Sequence, residues 1–264
     1  MLTSQEIQQY NEEGYIHCKG ILLDEINALI NELTIIIKDQ LKKNHIPTDE
    51  HEDFTTLIKK IMRPKTKERQ FIYDIAPRID TIRKIQVSEK IRDRVKALGF
   101  EVPFVTNLAT VRMDFSGEDE TKYLKGPHQD LRLIRSKKCC TVWFPLTPCN
   151  TENGSIIFYP RTHKQGIIKH ELVLNLEIPR DQLPNNKVLL NVAPGDVLIF
   201  DSFSIHESKA GTLNDYIKVA AFFGVNDALA IHIDDEYDLL RNDLPYFHDI
   251  LKGKSEEAKQ PSYY

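Results

Sequence analysis

A change of texture at Gly99 restricts this chain most. Before it, apolar residues recur at helical spacing. After it, β-branched and aromatic residues arrive in short runs punctuated by Gly, Pro and Asn. In the first part Thr3 and Glu6 have the spacing of a capping box, and Gly14 can end the helix they start. Tyr15 to Cys18 reads as a short strand. Asp24 is the expected N-cap of a second helix, because Ile26, Leu29, Ile30, Leu33 and Ile37 make one apolar face; that helix is expected to run to about Lys43. Residues 44–78 are polar and uneven, and read as a long excursion that orders only around a ligand. A further helix is expected from Ser88 to Leu98.

In the second part the expected strands are Phe104–Phe115, Cys139–Leu146, Ser155–Tyr159, Lys187–Val192, Val197–Asp201 and Ile217–Val225. Short strands with tight connections close into a sandwich or barrel, and the leading helices can cover one outer face. The expected fold is mainly β with flanking α-helices, a double-stranded β-helix of the cupin-like jelly-roll kind. One domain is expected over residues 1–264, with a helical part over about 1–100, the jelly-roll core over about 101–228 and a C-terminal extension over about 229–264.

Composition narrows the class. With 41% hydrophobic and 28% charged residues and no long apolar run, a membrane span is not expected. The opening residues are polar and acidic, without the basic start and apolar middle of a secretory signal, so residence in the cytoplasm is the expectation. A net charge of -4 with interspersed signs does not suggest a nucleic-acid partner. A small-molecule substrate and a monomer or homodimer are expected instead. Cys18, Cys139, Cys140 and Cys149 form no C-x-x-C pair and read as buried free thiols rather than a zinc or redox motif.

The chemistry centres on Gly126-Pro127-His128-Gln129-Asp130. His128 and Asp130 are two apart, which places both side chains on one face of an extended strand, where a nitrogen and a carboxylate oxygen can meet one ion. An H-x-D tripeptide alone is a weak signal. His206 strengthens it, because it follows the turn and apolar strand Pro194-Gly195-Asp196 to Phe200 and would complete a two-histidine, one-carboxylate face with open positions for Fe(II) chemistry. Lys218, downstream of His206, offers a point charge for a ligand carboxylate; its bland alternative is a solvated lysine on an edge strand. Arg132 and Arg135 follow the motif and are candidates for an anionic substrate group. Asn107 shares a strand face with Ala109 and Val111 and is expected to hydrogen-bond near a cosubstrate. His163 lies in a turn and reads as structural, while His45 and His51 fall in the excursion, where a lid can form.

These residues give the chain a resemblance to the phytanoyl-CoA dioxygenase family of Fe(II)/2-oxoglutarate oxygenases, spanning Leu2 to Val225. The opening helix with Gly14-Tyr15, the tripeptide His128-Gln129-Asp130, the stretch Val142 to Leu146 with Asn153-Gly154-Ser155 and Tyr159 to Lys164, and the distal pair of Pro194-Gly195-Asp196 and His206-Glu207-Ser208 carry it. The resemblance implies iron held by His128, Asp130 and His206, with 2-oxoglutarate and O2 as cosubstrates. It also implies Lys218 and Ser208 on the far carboxylate of 2-oxoglutarate, with Trp143 and Gln129 beside the cosubstrate. The family more often has Arg where this chain has Lys218, so charge is kept and the bidentate fork is lost. Related halogenases have Gly or Ala at the carboxylate position, so Asp130 implies hydroxylation or desaturation. The implied reaction oxidises an aliphatic carbon of a small metabolite, an amino acid or other carboxylate-bearing secondary metabolite, and releases succinate and CO2. The rival readings are a cupin-like protein that binds without catalysis and a non-redox metal enzyme.

Overall fold

The first helix, α1 (Ser4–Glu13), starts where a capping box forms. The Thr3 hydroxyl accepts from the Glu6 amide at 3.2 Å, and the Glu6 carboxylate accepts from the Thr3 amide at 2.7 Å. It stops at Gly14, which takes φ +88; a Cβ there would strike the His163 ring and the Ser204 hydroxyl, so only glycine fits. These features come from a computed structural model that describes residues 1–63, 66–117, 124–172 and 176–230. Most of the expected C-terminal extension therefore lies outside the described residues.

β1 (Tyr15–Cys18) leads into α2 (Leu23–Lys43). Asp24 is not its cap: Leu22 holds the N-cap position without a side-chain bond, and Asp24 sits in the first turn, where its charge opposes the helix dipole's positive end. Ile26, Leu29, Leu33, Ile37 and Leu41 are fully buried along one face, each stabilising by roughly 1.5–3 kcal/mol. The excursion expected over 44–78 is instead largely helical. Asp53 caps α3 (Phe54–Met62) by accepting from Thr56 at 2.7 Å, and Leu57, Ile58, Ile61 and Met62 bury an apolar stripe that the charged neighbours obscure in sequence. α4 (Lys67–Ile75), α5 (Asp80–Gln86) and α6 (Glu89–Ala97) follow, the last capped by Ser88 and ended before Gly99.

The strands are β2 (Pro103–Val105), β3 (Thr110–Phe115), β4 (Cys139–Pro145), β5 (Ser155–Phe158), β6 (Glu171–Leu172), β7 (Leu176–Glu177), β8 (Val188–Leu190), β9 (Val197–Asp201), β10 (His206–Lys209) and β11 (Ile217–Asp227). The expected strand 104–115 is two strands, because the chain steps off the sheet around Asn107 before both pieces pair with one edge of β11. The larger sheet runs β1-β9-β4-β11 and then β2 and β3; the smaller runs β10-β5-β8, and every pairing is antiparallel. The result is a mixed α/β protein with antiparallel sheets rather than a mainly β one, since helical residues outnumber strand residues among those described.

Alternation divides the larger sheet between two cores. Cys140, Val142 and Phe144 of β4, Val197 and Ile199 of β9, and Val219, Ala221 and Phe223 of β11 join the helices in one cluster. Trp143, Leu198, Phe200 and Ala220 face the smaller sheet's Ile156, Phe158 and Leu190. Both faces of β4 are therefore buried, and any polar group on its inner face needs a partner. All four cysteines are buried free thiols. Among the described residues no helix is long and apolar enough to cross a membrane.

Two acidic residues bracket β9. Asp196 accepts from His17 at 2.8 Å and from the Gly20 amide at 2.8 Å, which ties β1 to the turn before β9. Asp201 closes the strand, accepts from the Phe203 amide at 2.9 Å, and is pushed up to about 7, chiefly by burial. The unfolded chain gives up this proton near pH 4 and the folded chain near pH 7, so the residue withdraws stability as pH rises through that window. Asp201→Asn, which keeps an acceptor for Phe203, is expected to raise the melting temperature by roughly 5 °C at pH 8 and by much less at pH 4.5. Equal shifts at both pH values, read by differential scanning fluorimetry, would refute this.

Candidate metal centre

Backbone pairing assembles the centre. The segment from Lys125 to Asp130 runs beside the start of β10. The Ser208 amide donates to the Lys125 carbonyl at 2.8 Å, His128 and His206 exchange both amide bonds at 3.0 Å, and the Asp130 amide donates to the Ser202 carbonyl at 3.1 Å. This places the two histidine rings opposite each other, 4.2 Å between centroids. Asp130 Oδ1 lies 3.7 Å from His128 Nε2, and Asp130 Oδ2 lies 3.7 Å from His206 Nε2. One ligand atom from each of the three residues lies within 4.8 Å of the others, and all three residues are buried.

The surroundings prepare these atoms for a cation. His128 Nδ1 donates to the Gly126 carbonyl at 2.8 Å and His206 Nδ1 to the Ser204 carbonyl at 3.2 Å, which fixes the tautomer and leaves each Nε2 lone pair facing the cavity. Burial holds both imidazoles below their usual range, and for His128 the Lys125 charge adds to the effect. They are neutral and need lose no proton to ligate. The Thr141 hydroxyl, on the inner face of β4, donates to Asp130 Oδ2 at 2.8 Å and orients the carboxylate. Two neutral nitrogens and one carboxylate oxygen suit Fe(II) and leave coordination positions open toward the cavity.

The cavity beside the centre is lined by Lys125, Trp143, Ile156, Glu207, Ser208, Lys218, Ala220 and Phe222, with Arg112 and Asp114. Lys218 is buried on the inner face of β11, not solvated on an edge. Its ammonium donates to the Ser155 carbonyl at 3.1 Å and forms an ion pair with Asp114 at 2.9 Å; Arg112 reaches the other Asp114 oxygen at 2.9 Å. Burial pushes the Asp114 carboxyl up, but Lys218, Arg112 and the Ser208 hydroxyl outweigh it and hold the group below its usual value. Glu207 accepts from Tyr159 at 2.7 Å and from Arg180 at 3.1 Å.

Several expected site residues lie elsewhere. Asn107 is exposed and donates to the Leu108 carbonyl at 2.7 Å, because the chain has left the sheet there; its strand neighbour Arg112 faces the cavity instead. Gln129 alternates away from His128 and Asp130. Its amide donates to the Gly166 and Phe203 carbonyls at 2.7 and 2.6 Å and accepts from Ile168 at 2.9 Å, so it braces the motif from behind. His170 assists by accepting from the Gln129 amide at 3.1 Å. Arg132 is exposed between buried Leu131 and Leu133, and Arg135 donates to its neighbour's carbonyl at 2.8 Å near Asn226, at the far end of β11; neither lines the cavity. His163 contacts the Asn11 carbonyl at 3.3 Å, away from the centre. The sequence reading passed over Asp114, Lys125, Thr141 and Glu207. Asp114 was findable: it stands two residues from Arg112, on the same strand face.

Comparison with known proteins gives this geometry a context. The profile of the phytanoyl-CoA dioxygenase (PhyH) family matches residues 10–213. Two 1-deoxypentalenic acid 11-beta-hydroxylases are similar: that of Streptomyces arenae is 26% identical over 75% of this chain and 71% of its own, and that of Streptomyces exfoliatus 27% identical over the same shares. Among solved structures, the epimerase SnoN in complex with Fe3+, alpha ketoglutarate and nogalamycin RO has a TM-score of 0.61 and 16% identity over 97% of this chain and 92% of its own. EctD from S. alaskensis with 2-oxoglutarate and 5-hydroxyectoine has a TM-score of 0.56 and 15% identity over 87% and 77% of the two chains. At these identities the structures share the fold.

Proposed function

The chain belongs to the phytanoyl-CoA dioxygenase family and is a non-haem Fe(II), 2-oxoglutarate-dependent dioxygenase of small metabolites; from that premise we propose that it hydroxylates an aliphatic C–H bond of a carboxylate-bearing secondary metabolite. The observation that carries this reading is the convergence of two neutral Nε2 atoms and the Asp130 carboxylate on one cavity wall, each oriented by a hydrogen bond behind it. A carboxylate at position 130, where a halogenase would leave room for chloride, supports hydroxylation. The relatives named for a carboxylic acid support an acidic substrate.

In this reading residues 1–264 form one domain, and the two antiparallel sheets are the walls of the family's double-stranded β-helix. Four free, buried thiols fit a reducing, cytoplasmic setting. Lys218, steadied by Asp114 and the Ser155 carbonyl, and Ser208 hold the far carboxylate of 2-oxoglutarate, and Trp143 covers its flank. Bound iron and 2-oxoglutarate supply the oxidising power, with succinate and CO2 as coproducts. The protein holds the open face in place, and the apolar side chains of Ile156, Ala220 and Phe222 keep water from it.

Anaerobic protein with Fe(II) and 2-oxoglutarate is expected to develop a weak visible charge-transfer band. With O2, a panel of carboxylate-bearing metabolites is expected to contain at least one that raises succinate release well above the uncoupled rate. A band without any stimulated turnover would remove the proposed substrate class, and absence of both would remove the oxygenase reading.

A further inference from the structure

Lys125 stands three residues before His128 and lines the same cavity as the three candidate ligands. Its backbone is tied to β10, because its carbonyl accepts from the Ser208 amide at 2.8 Å. The other charged groups on the cavity wall have protein partners. Asp114 is paired with Lys218 and Arg112, Glu207 with Tyr159 and Arg180, and Asp130 is oriented by Thr141 toward the metal position. The Lys125 ammonium makes no hydrogen bond or ion pair with any described residue. Asp130 and Glu177 lie close enough to favour its charge, yet the first is committed to the metal face and the second makes no ion pair with it.

Lys125 is half-buried, and an ammonium that gives up part of its hydration on a cavity wall is placed to take its counter-charge from a ligand. In the reading above, both carboxylates of 2-oxoglutarate have places, one at the iron and one at Lys218 with Ser208. The ammonium beside the iron is then left for the organic substrate. Trp143, Ile156, Ala220 and Phe222 line the same cavity and give it apolar surface suited to a hydrocarbon skeleton. One point charge in such a cavity matches a monoanion on an apolar body better than a phosphate, for which a fork or cluster of donors is the usual match.

We infer that Lys125 is a specificity-determining residue that binds the carboxylate of an apolar carboxylic acid substrate and so sets which carbon faces the iron. This rests on the proposed oxygenase function. It moves the anionic anchor from Arg132 and Arg135 to the residue that does line the cavity.

The test uses the full chain, anaerobic, loaded with Fe(II) and 2-oxoglutarate, and titrated calorimetrically with octanoate, cyclohexanecarboxylate and benzoate, each beside its methyl ester. At least one acid is expected to bind ~10-fold or more tightly than its ester. Lys125→Met is expected to erase that preference and Lys125→Arg to retain it, with the 2-oxoglutarate titration of the charge-transfer band unchanged in both. No preference for acid over ester in the unmodified protein, no binding of any acid, or a preference that survives Lys125→Met overturns the inference. A weakened 2-oxoglutarate titration in Lys125→Met also overturns it, by placing the ammonium on the cosubstrate. Failure of the unmodified protein to form the band would instead strike the oxygenase reading beneath it.

Discussion

Asp130→Ala is expected to lower substrate-stimulated succinate release by ~10^3-fold or more, because the anionic member of the metal face is lost while both imidazoles remain. The effect should be visible before any turnover. A divalent metal that binds only the folded protein raises its melting temperature with the logarithm of its concentration relative to its Kd, and the variant is expected to lose most of the shift that Fe(II) or Mn(II) gives the unmodified chain. The metal-free variant should melt within a few degrees of the metal-free parent, since among the described residues Asp130 makes one side-chain hydrogen bond, from Thr141, and its backbone amide bond to Ser202 is kept. Turnover that survives with the metal shift intact would mean that the ion sits elsewhere.

Lys218→Ala is the second large effect, and it should fall on the cosubstrate. The lysine is buried, paired with Asp114 and bonded to the Ser155 carbonyl, so its removal takes a positioned charge from the place where the far carboxylate of 2-oxoglutarate is proposed to end. Truncating one partner of a buried charge pair costs about 2–5 kcal/mol, and the lower half of that range corresponds to a rise of roughly 100-fold in the KM for 2-oxoglutarate. kcat at saturating 2-oxoglutarate should change far less, because the iron ligands are untouched. Some loss of thermal stability is also expected, since among the described residues Asp114 keeps Arg112 and Ser208 as partners. An unchanged KM would assign the carboxylate to another cation, and a fall in kcat alone would remove Lys218 from cosubstrate binding.

The sequence made some of this legible because the relevant physics is local. The capping box of Thr3 and Glu6 and the stop at Gly14 are decided within one helical turn. His128 and Asp130 share a face because alternation is a property of any extended chain, and the same rule should have turned Gln129 away from the site. The stripe of Leu57, Ile58, Ile61 and Met62 is hard to see in sequence because Lys59 and Lys60 interrupt the apolar run, although burial on a helix depends on position around the axis. The break at Asn107 carried one local mark, an asparagine that favours turns over strands, and the step off the sheet is imposed by how β2 and β3 share the edge of β11.

Charge partnerships were illegible for a different reason. Lys218 and Asp114 are far apart in the chain and meet because β3 and β11 pair in one register; a slip of β3 by one residue would turn Asp114 to the opposite face from Lys218. Arg132 and Arg135, near the motif in sequence, are carried off by a turn whose leucines take the buried positions.

The metal face returns as the clearest division between the two kinds of information. The sequence by itself determined the ligand types and the pairing of His128 and Asp130 on one strand face, since these follow from residue chemistry and the two-residue period of a strand, and the family resemblance added His206. Only the tertiary structure decided what surrounds that face: Thr141 behind the carboxylate, Asp114 beside Lys218, and Lys125 in the same cavity. Those neighbours come from different strands, and contacts between distant segments are set by sheet register and burial, which no local pattern encodes.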